Sequence, residues 1–235
     1  MTTVQVARPS QLGDVYDTIL VRSFQPDELV DKGAFMHAST WGEVLVTEDG
    51  EGNLTGAAVA DHDSETGLSV MEYLAVAPGH RGAGAGSALL NAAVEQWVAL
   101  VSPSALLAEM ERPDGHPATE QYGDPARRLA FYERHGFQAL AVPYYQPALT
   151  PDQRPVPDLI LGIRVFDPAW VSADGTRFVE GARLEQVLRA RTPEPEDQAL
   201  LPAWEALMAS TRDPEGVPLV PLAEYVRVPR SGPLS

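Results

Sequence analysis

Two groups of residues in this 235-residue chain have the types and spacing to do chemistry. The first is the run Arg81-Gly82-Ala83-Gly84-Ala85-Gly86-Ser87, which follows an apolar stretch ending at Ala77-Pro78 and precedes a helix-patterned one. The first turn of a helix has unpaired N–H groups and the positive end of the dipole, so it draws anions. Glycines at 82, 84 and 86 leave no Cβ between the backbone and a bulky phosphate. The run lacks the Gly-Lys-Ser/Thr of a Walker loop, and it does not open on the first strand as a dinucleotide fingerprint would. The second group is a set of carboxylates in strand-patterned stretches. By the two-residue period Glu72 shares a face with Val70, Leu74 and Val76, while Glu109 and Glu111 share one with Leu107. A carboxylate among apolar neighbours is costly to bury unless it is paired or functional. Glu72 and Glu109 rank above Glu111, which can lie at an exposed strand end beside Arg112.

Positioning these groups requires a particular series of elements. Residues 3–8 alternate as a short strand, and Ser10 can cap a helix running to about Phe24. Strand patterns follow at Glu43–Thr47, Leu54–Asp61 and Leu68–Val76. Their polar, glycine-containing connectors suit hairpins, so this part of the sheet should be antiparallel. After the glycine run a helix extends to about Leu100, with apolar Leu89, Leu90, Ala93, Val94, Trp97 and Val98 at three- and four-residue steps. A strand over Ser104–Glu111 precedes Asp124-Pro125, a helix cap with proline at the first helical position. That helix should stop at His135-Gly136, with glycine in the left-handed conformation. Strands over Phe137–Gln146 and Asp158–Phe166 complete the pattern. From Asp167 onward the character changes to two amphipathic helices, 178–191 and 196–212, and a proline-rich segment that reads as extended or partly mobile. The division expected is a domain over 1–166 and a C-terminal helical and proline-rich extension over 167–235.

Leu74-Ala75-Val76-Ala77-Pro78, Arg81-Gly82-Ala83-Gly84-Ala85-Gly86 and Ala88-Leu89-Leu90 together resemble the acyl-CoA motif of the GNAT superfamily of N-acyltransferases. Ala130-Phe131-Tyr132-Glu133-Arg134-His135-Gly136-Phe137 resembles its second hallmark. The resemblance covers residues 1–166. It implies an α/β (α+β) fold: a mixed, mostly antiparallel sheet flanked by helices, splayed into a V between its fourth and fifth strands. Pantetheine would lie in the splay, paired with backbone at Leu74 and Val76, and the pyrophosphate would take amides of Arg81, Gly82, Ala83, Gly84, Gly86 and Ser87. The implied cosubstrate is acetyl-CoA, with no metal. The implied reaction is direct transfer of acetyl to a primary amine in a ternary complex. Tyr132 falls where the family places the proton donor to the CoA sulfur; a phenol near pKa 10 is an acceptable donor to a thiolate whose acid lies near 8.5. A backbone N–H near Val76 would hold the oxyanion, and Glu72 or Glu109 would serve as base or hold the ammonium.

Composition narrows the partners. The net charge is −16, with one lysine, Lys32, so the chain lacks the basic face that nucleic-acid binding needs. The acidic field favours a cationic second substrate, and a small-molecule amine is the acceptor expected. With no cysteine, disulfides, thiolate metal sites and a cysteine nucleophile are excluded. Five scattered histidines make a zinc site a poor fit. No apolar stretch is long enough to span a membrane, and the N-terminus has no secretory pattern; a cytoplasmic location is the simplest expectation. The apolar faces of the two tail helices would need a partner surface, which makes a homodimer through the extension one expectation and a lid another. Acceptor specificity should reside in Tyr144, Tyr145 and the loops 25–40 and 112–123. Two other functions remain open at this level: a non-catalytic acyl-CoA sensor, and an enzyme acetylating a protein lysine or N-terminus.

Overall fold

The computed structural model describes residues 4–38, 43–82, 84–232 and 234. A single nine-stranded sheet organises them, with strands β1 (Val4–Val6), β2 (Glu43–Glu48), β3 (Leu54–Asp63), β4 (Leu68–Val76), β5 (Ala105–Glu111), β6 (Gln138–Leu140), β7 (Leu159–Val165), β8 (Arg177–Phe178) and β9 (Val217–Val220). Its order is β1-β2-β3-β4-β5-β7-β6-β9-β8. The hairpins β2–β3 and β3–β4 are antiparallel, as their polar connectors predict, and β4–β5 is the parallel pair. A parallel neighbour requires a crossover, and α3 (Ala85–Val101) supplies it.

The helices α1 (Leu12–Asp14), α2 (Lys32–Ala38), α3, α4 (Pro125–Arg134), α5 (Gly181–Arg191) and α6 (Leu201–Ser210) pack on both faces. On one face Leu89, Leu90, Trp97 and Leu129 from α3 and α4 meet Leu106, Ala108 and Met110 of β5. The other face is covered in two blocks. Val15, Ile19 and Phe35 cover Val46, Val59 and Tyr73, while Leu184, Leu188, Trp204 and Leu207 from α5 and α6 cover Val70, Leu107 and Ile163. The apolar faces of the tail helices are therefore buried on the chain's own sheet, which removes the premise for a dimer through them.

Several elements differ from expectation. Ser10 is not a cap: helical structure begins at Pro9, and after α1 the chain continues as a π-helical turn over Val15–Leu20. Strand β6 is three residues long where ten were expected, since Val142–Gln146 leaves the sheet after Leu140. The tail contributes strands as well as helices. In β9 Pro218 has no N–H to donate, so Val217-Pro218-Leu219-Val220 does not read as a strand, yet Ala139 and Leu140 pair with it. By contrast Asp124 caps α4 through a 2.9 Å bond from the Ala126 amide, and Gly136 ends it with φ of 80°, both as predicted.

Candidate active site

The strands β4 and β5 pair only from Leu68↔Ala105 to Met71↔Ala108; beyond that point they diverge. The gap between Glu72–Val76 and Glu109–Glu111 is the splay. A β-bulge marks its vertex: Val59 faces Tyr73 and Ala60 faces Met71, which leaves Glu72 as the extra residue. The bulge corrects the face assignment made by simple alternation. Val70 packs with the α5–α6 block, whereas Leu74 and Val76 pack with Met71 on the α3–α4 side, so Glu72 does not share one face with all three.

The backbone of the splay is available. Ala77 donates its N–H to the Thr55 carbonyl at 2.9 Å, which turns Ala77 toward β3. Polar groups alternate along a strand edge, so the N–H and C=O of Leu74 and Val76 point into the gap. One of them is engaged already, since the Val76 carbonyl accepts from Arg81 Nε at 3.1 Å. A cleft of about 320 Å3 follows the gap, with Leu74, Val76, Arg81 and Gly86 on one wall and Glu109, Glu111, Arg128 and Tyr132 on the other.

At the cleft's end lies the glycine turn. Gly82 and Gly84 take φ of 103° and 80°, conformations that cost other residues about 1–2 kcal/mol. A Cβ on Gly86 would lie 3.6 Å from the Phe131 ring. Ser87 sits in the first turn of α3 but does not line the cleft, and neither do Gly82 and Gly84. Ala83 lies outside the described residues. Arg81 spans the mouth, its guanidinium 3.4 Å from the Gln121 carbonyl and 3.5 Å from Ser23 Oγ.

Tyr132 is 7% exposed, wedged edge-on between Phe131 and Phe137. Among the described residues its hydroxyl has no hydrogen-bond partner, although the residue lines the cleft. Burial pushes its pKa up to about 12, against a small opposing pull from Arg128.

The three suspect carboxylates have distinct partners. Glu111 is buried and bonded to Arg128 at 2.6 Å and to Gln25 at 3.0 Å. Its expected neighbour Arg112 instead bonds Asp114 and the Val228 carbonyl, each at 2.9 Å. Arg128 thus belongs to the cleft. Glu72 is half-buried and paired with Arg191 at the end of α5. Glu109 accepts a 2.5 Å bond from the Tyr144 hydroxyl. Burial raises its pKa, an effect opposed by the Tyr144 bond and Arg191 and reinforced by Glu72 and Glu28.

A second cavity, of about 360 Å3, opens from the vertex and shares Glu28, Met71, Glu72, Glu109 and Gln146 with the first. Of the two tyrosines expected to set specificity, Tyr144 lines it and Tyr145 is buried elsewhere. From loop 25–40 come Glu28, Val30 and Phe35, but loop 112–123 lines only the first cleft, through Tyr122 and Gly123. Tyr73, Gln146 and Arg191 were missed by sequence reasoning. Arg191 carries no local signal, because only the packing of α5 brings it to β4.

Residues 40–139 match the family model of the acetyltransferase (GNAT) domain. No curated protein matches the chain in sequence. Among solved structures it is similar to a GNAT-family protein from Bacteroides thetaiotaomicron (TM-score 0.55, 21% identity, 80% of this chain and 98% of that one). It is also similar to the ribosomal-protein-S18-alanine N-acetyltransferase of Escherichia coli (0.52, 18%, 70% and 94%). A third is a phosphinothricin acetyltransferase of Sinorhizobium meliloti in complex with acetyl-CoA (0.52, 18%, 71% and 89%). The family match over residues 40–139, the splayed β4–β5 pair and the glycine turn agree with one another on a GNAT-like fold.

Proposed function

We propose that the chain transfers acetyl from acetyl-CoA to the primary amine of a small molecule. The observation that carries this reading is the end of β4–β5 pairing at Met71↔Ala108, which leaves the backbone of Leu74 and Val76 facing a cleft that leads to the glycine turn. Pantetheine would pair with that backbone, and the amides around Gly82–Ser87 would take the pyrophosphate.

The neutral amine attacks the thioester carbon, the C–S bond breaks, the departing thiolate takes the Tyr132 proton, and the second proton shed by the nitrogen restores the phenol. The Val76 N–H faces the gap and would stabilise the oxyanion. The proton lost by the ammonium passes to a carboxylate at the vertex. Glu109 suits that task better than Glu72, because its raised pKa brings it nearer the amine's, whereas Glu72 is held by Arg191. The shape of the second cavity favours a small acceptor over a peptide. Gln146 and Gln153 donate to the carbonyls of Asp27, Pro26 and Leu29, fastening loop 25–31 against loop 146–157 across the acceptor side.

Calorimetric titration of acetyl-CoA into the wild type and into Gly84→Glu tests the reading. Binding by the wild type that vanishes in the variant is expected. A folded wild-type protein that binds no acetyl-CoA would overturn it.

A further inference from the structure

The second cavity lies on the face opposite α3 and α4, between the block formed by the N-terminal helical segment and the block formed by α5 and α6. Its vertex end carries Glu72 and Glu109. Away from the vertex its wall is mainly apolar: Val30, Phe35, Val59, Tyr73, Pro147 and Leu149. Ala190 and Arg191 close one side, and both come from the tail, beyond the stretch that matches the acetyltransferase family. At 360 Å3 the cavity is at the small end of ligand sites.

We infer that this cavity is the acceptor site, that α5 completes it, and that it takes a primary amine on an uncharged apolar or aromatic body bearing no carboxylate. The inference rests on the acetyl-transfer reading above. Three observations carry it. The cavity is continuous with the thioester cleft through Glu72 and Glu109, so an amine at that end meets the reacting carbon. Among the described residues four carboxylates line it, Glu28, Asp61, Glu72 and Glu109, against one guanidinium. That guanidinium, Arg191, already bonds Glu72 and lies 3.7 Å from Asp61. A substrate carboxylate would therefore meet like charge in a poorly solvated space, with the single cation spoken for. An ammonium meets the opposite field, and an aromatic or alkyl body meets Phe35, Tyr73 and Leu149.

Phenethylamine, phenylalanine and butane-1,4-diamine separate the possibilities, because the first two differ only by a carboxylate and the third replaces the apolar body with a second charge. Phenethylamine should exceed each of the others in kcat/KM by about 30-fold or more. Equal or better turnover of phenylalanine, or of the diamine, would overturn the inference. So would failure of phenethylamine both to react and to bind in the presence of CoA, if acetyl-CoA itself still binds. Loss of acetyl-CoA binding would instead overturn the acetyl-transfer reading beneath it. Ala190→Trp, which fills the cavity from the tail at an exposed position, should raise the KM for phenethylamine at least tenfold and leave acetyl-CoA affinity unchanged. An unchanged KM would remove α5 from the site.

Discussion

Replacing Tyr132 by phenylalanine separates a catalytic hydroxyl from a packing aromatic. The ring is 7% exposed and packs edge-on against Phe131 and Phe137, contacts that phenylalanine keeps. The hydroxyl has no partner among the described residues, so its removal breaks no internal hydrogen bond and should change stability by less than about 1 kcal/mol. Its pKa of about 12 keeps the group protonated at any pH suited to assay, so it can donate throughout. Loss of a general acid is worth about 100- to 1,000-fold, or roughly 3–4 kcal/mol of barrier. Thiol release followed by a chromogenic disulfide, with phenethylamine as acceptor, measures kcat, and thermal unfolding of the same sample controls for structure. A large fall in kcat at unchanged melting temperature is the expected result. If kcat stays within about threefold of wild type, Tyr132 is a core aromatic and the thiolate is protonated by another group.

Three further outcomes follow from the same geometry. Glu109→Gln should lower kcat/KM about 100-fold or more yet raise stability at alkaline pH. Burial raises the folded-state pKa of Glu109 above its unfolded value, so its contribution to stability is full below the unfolded pKa and is lost as pH rises through the folded one. Denaturant titrations should show the variant's advantage growing as pH rises above the unfolded carboxylate value; a constant difference would count against a buried, pKa-shifted carboxylate. Arg191→Met removes a cation that holds this pKa down, so the rising limb of the kcat/KM–pH profile should move to higher pH; an unmoved limb would mean that Glu109 is not the base. Truncation after Phe166 should yield unfolded or aggregated protein, because it uncovers Val70, Leu107 and Ile163 and strips β9 from β6. A soluble fragment with native circular dichroism would show that the tail is dispensable for folding.

The glycine turn was legible in the sequence because its information is local. Positive φ at Gly82 and Gly84, the Asp124 cap and the Gly136 stop each depend on a few adjacent residues, and the antiparallel hairpins depend on their short connectors. The roles expected of Tyr132, Leu74 and Val76 came from the resemblance to the GNAT motifs and not from any local pattern. The roles of the carboxylates were not legible. Strict alternation put Glu72 on the Val70 face; a bulge against β3 broke that period, and a bulge is a property of two paired strands. The tail was legible in its helices but not in its strands, since Pro218 hides β9 until β6 and β8 supply the pairing. What tertiary structure alone decided is which charge meets which. Arg191 lies 119 residues from Glu72 in sequence and Tyr144 lies 35 from Glu109. Long-range packing brings these groups together, where Arg191 holds Glu72 and the Tyr144 hydroxyl bonds Glu109.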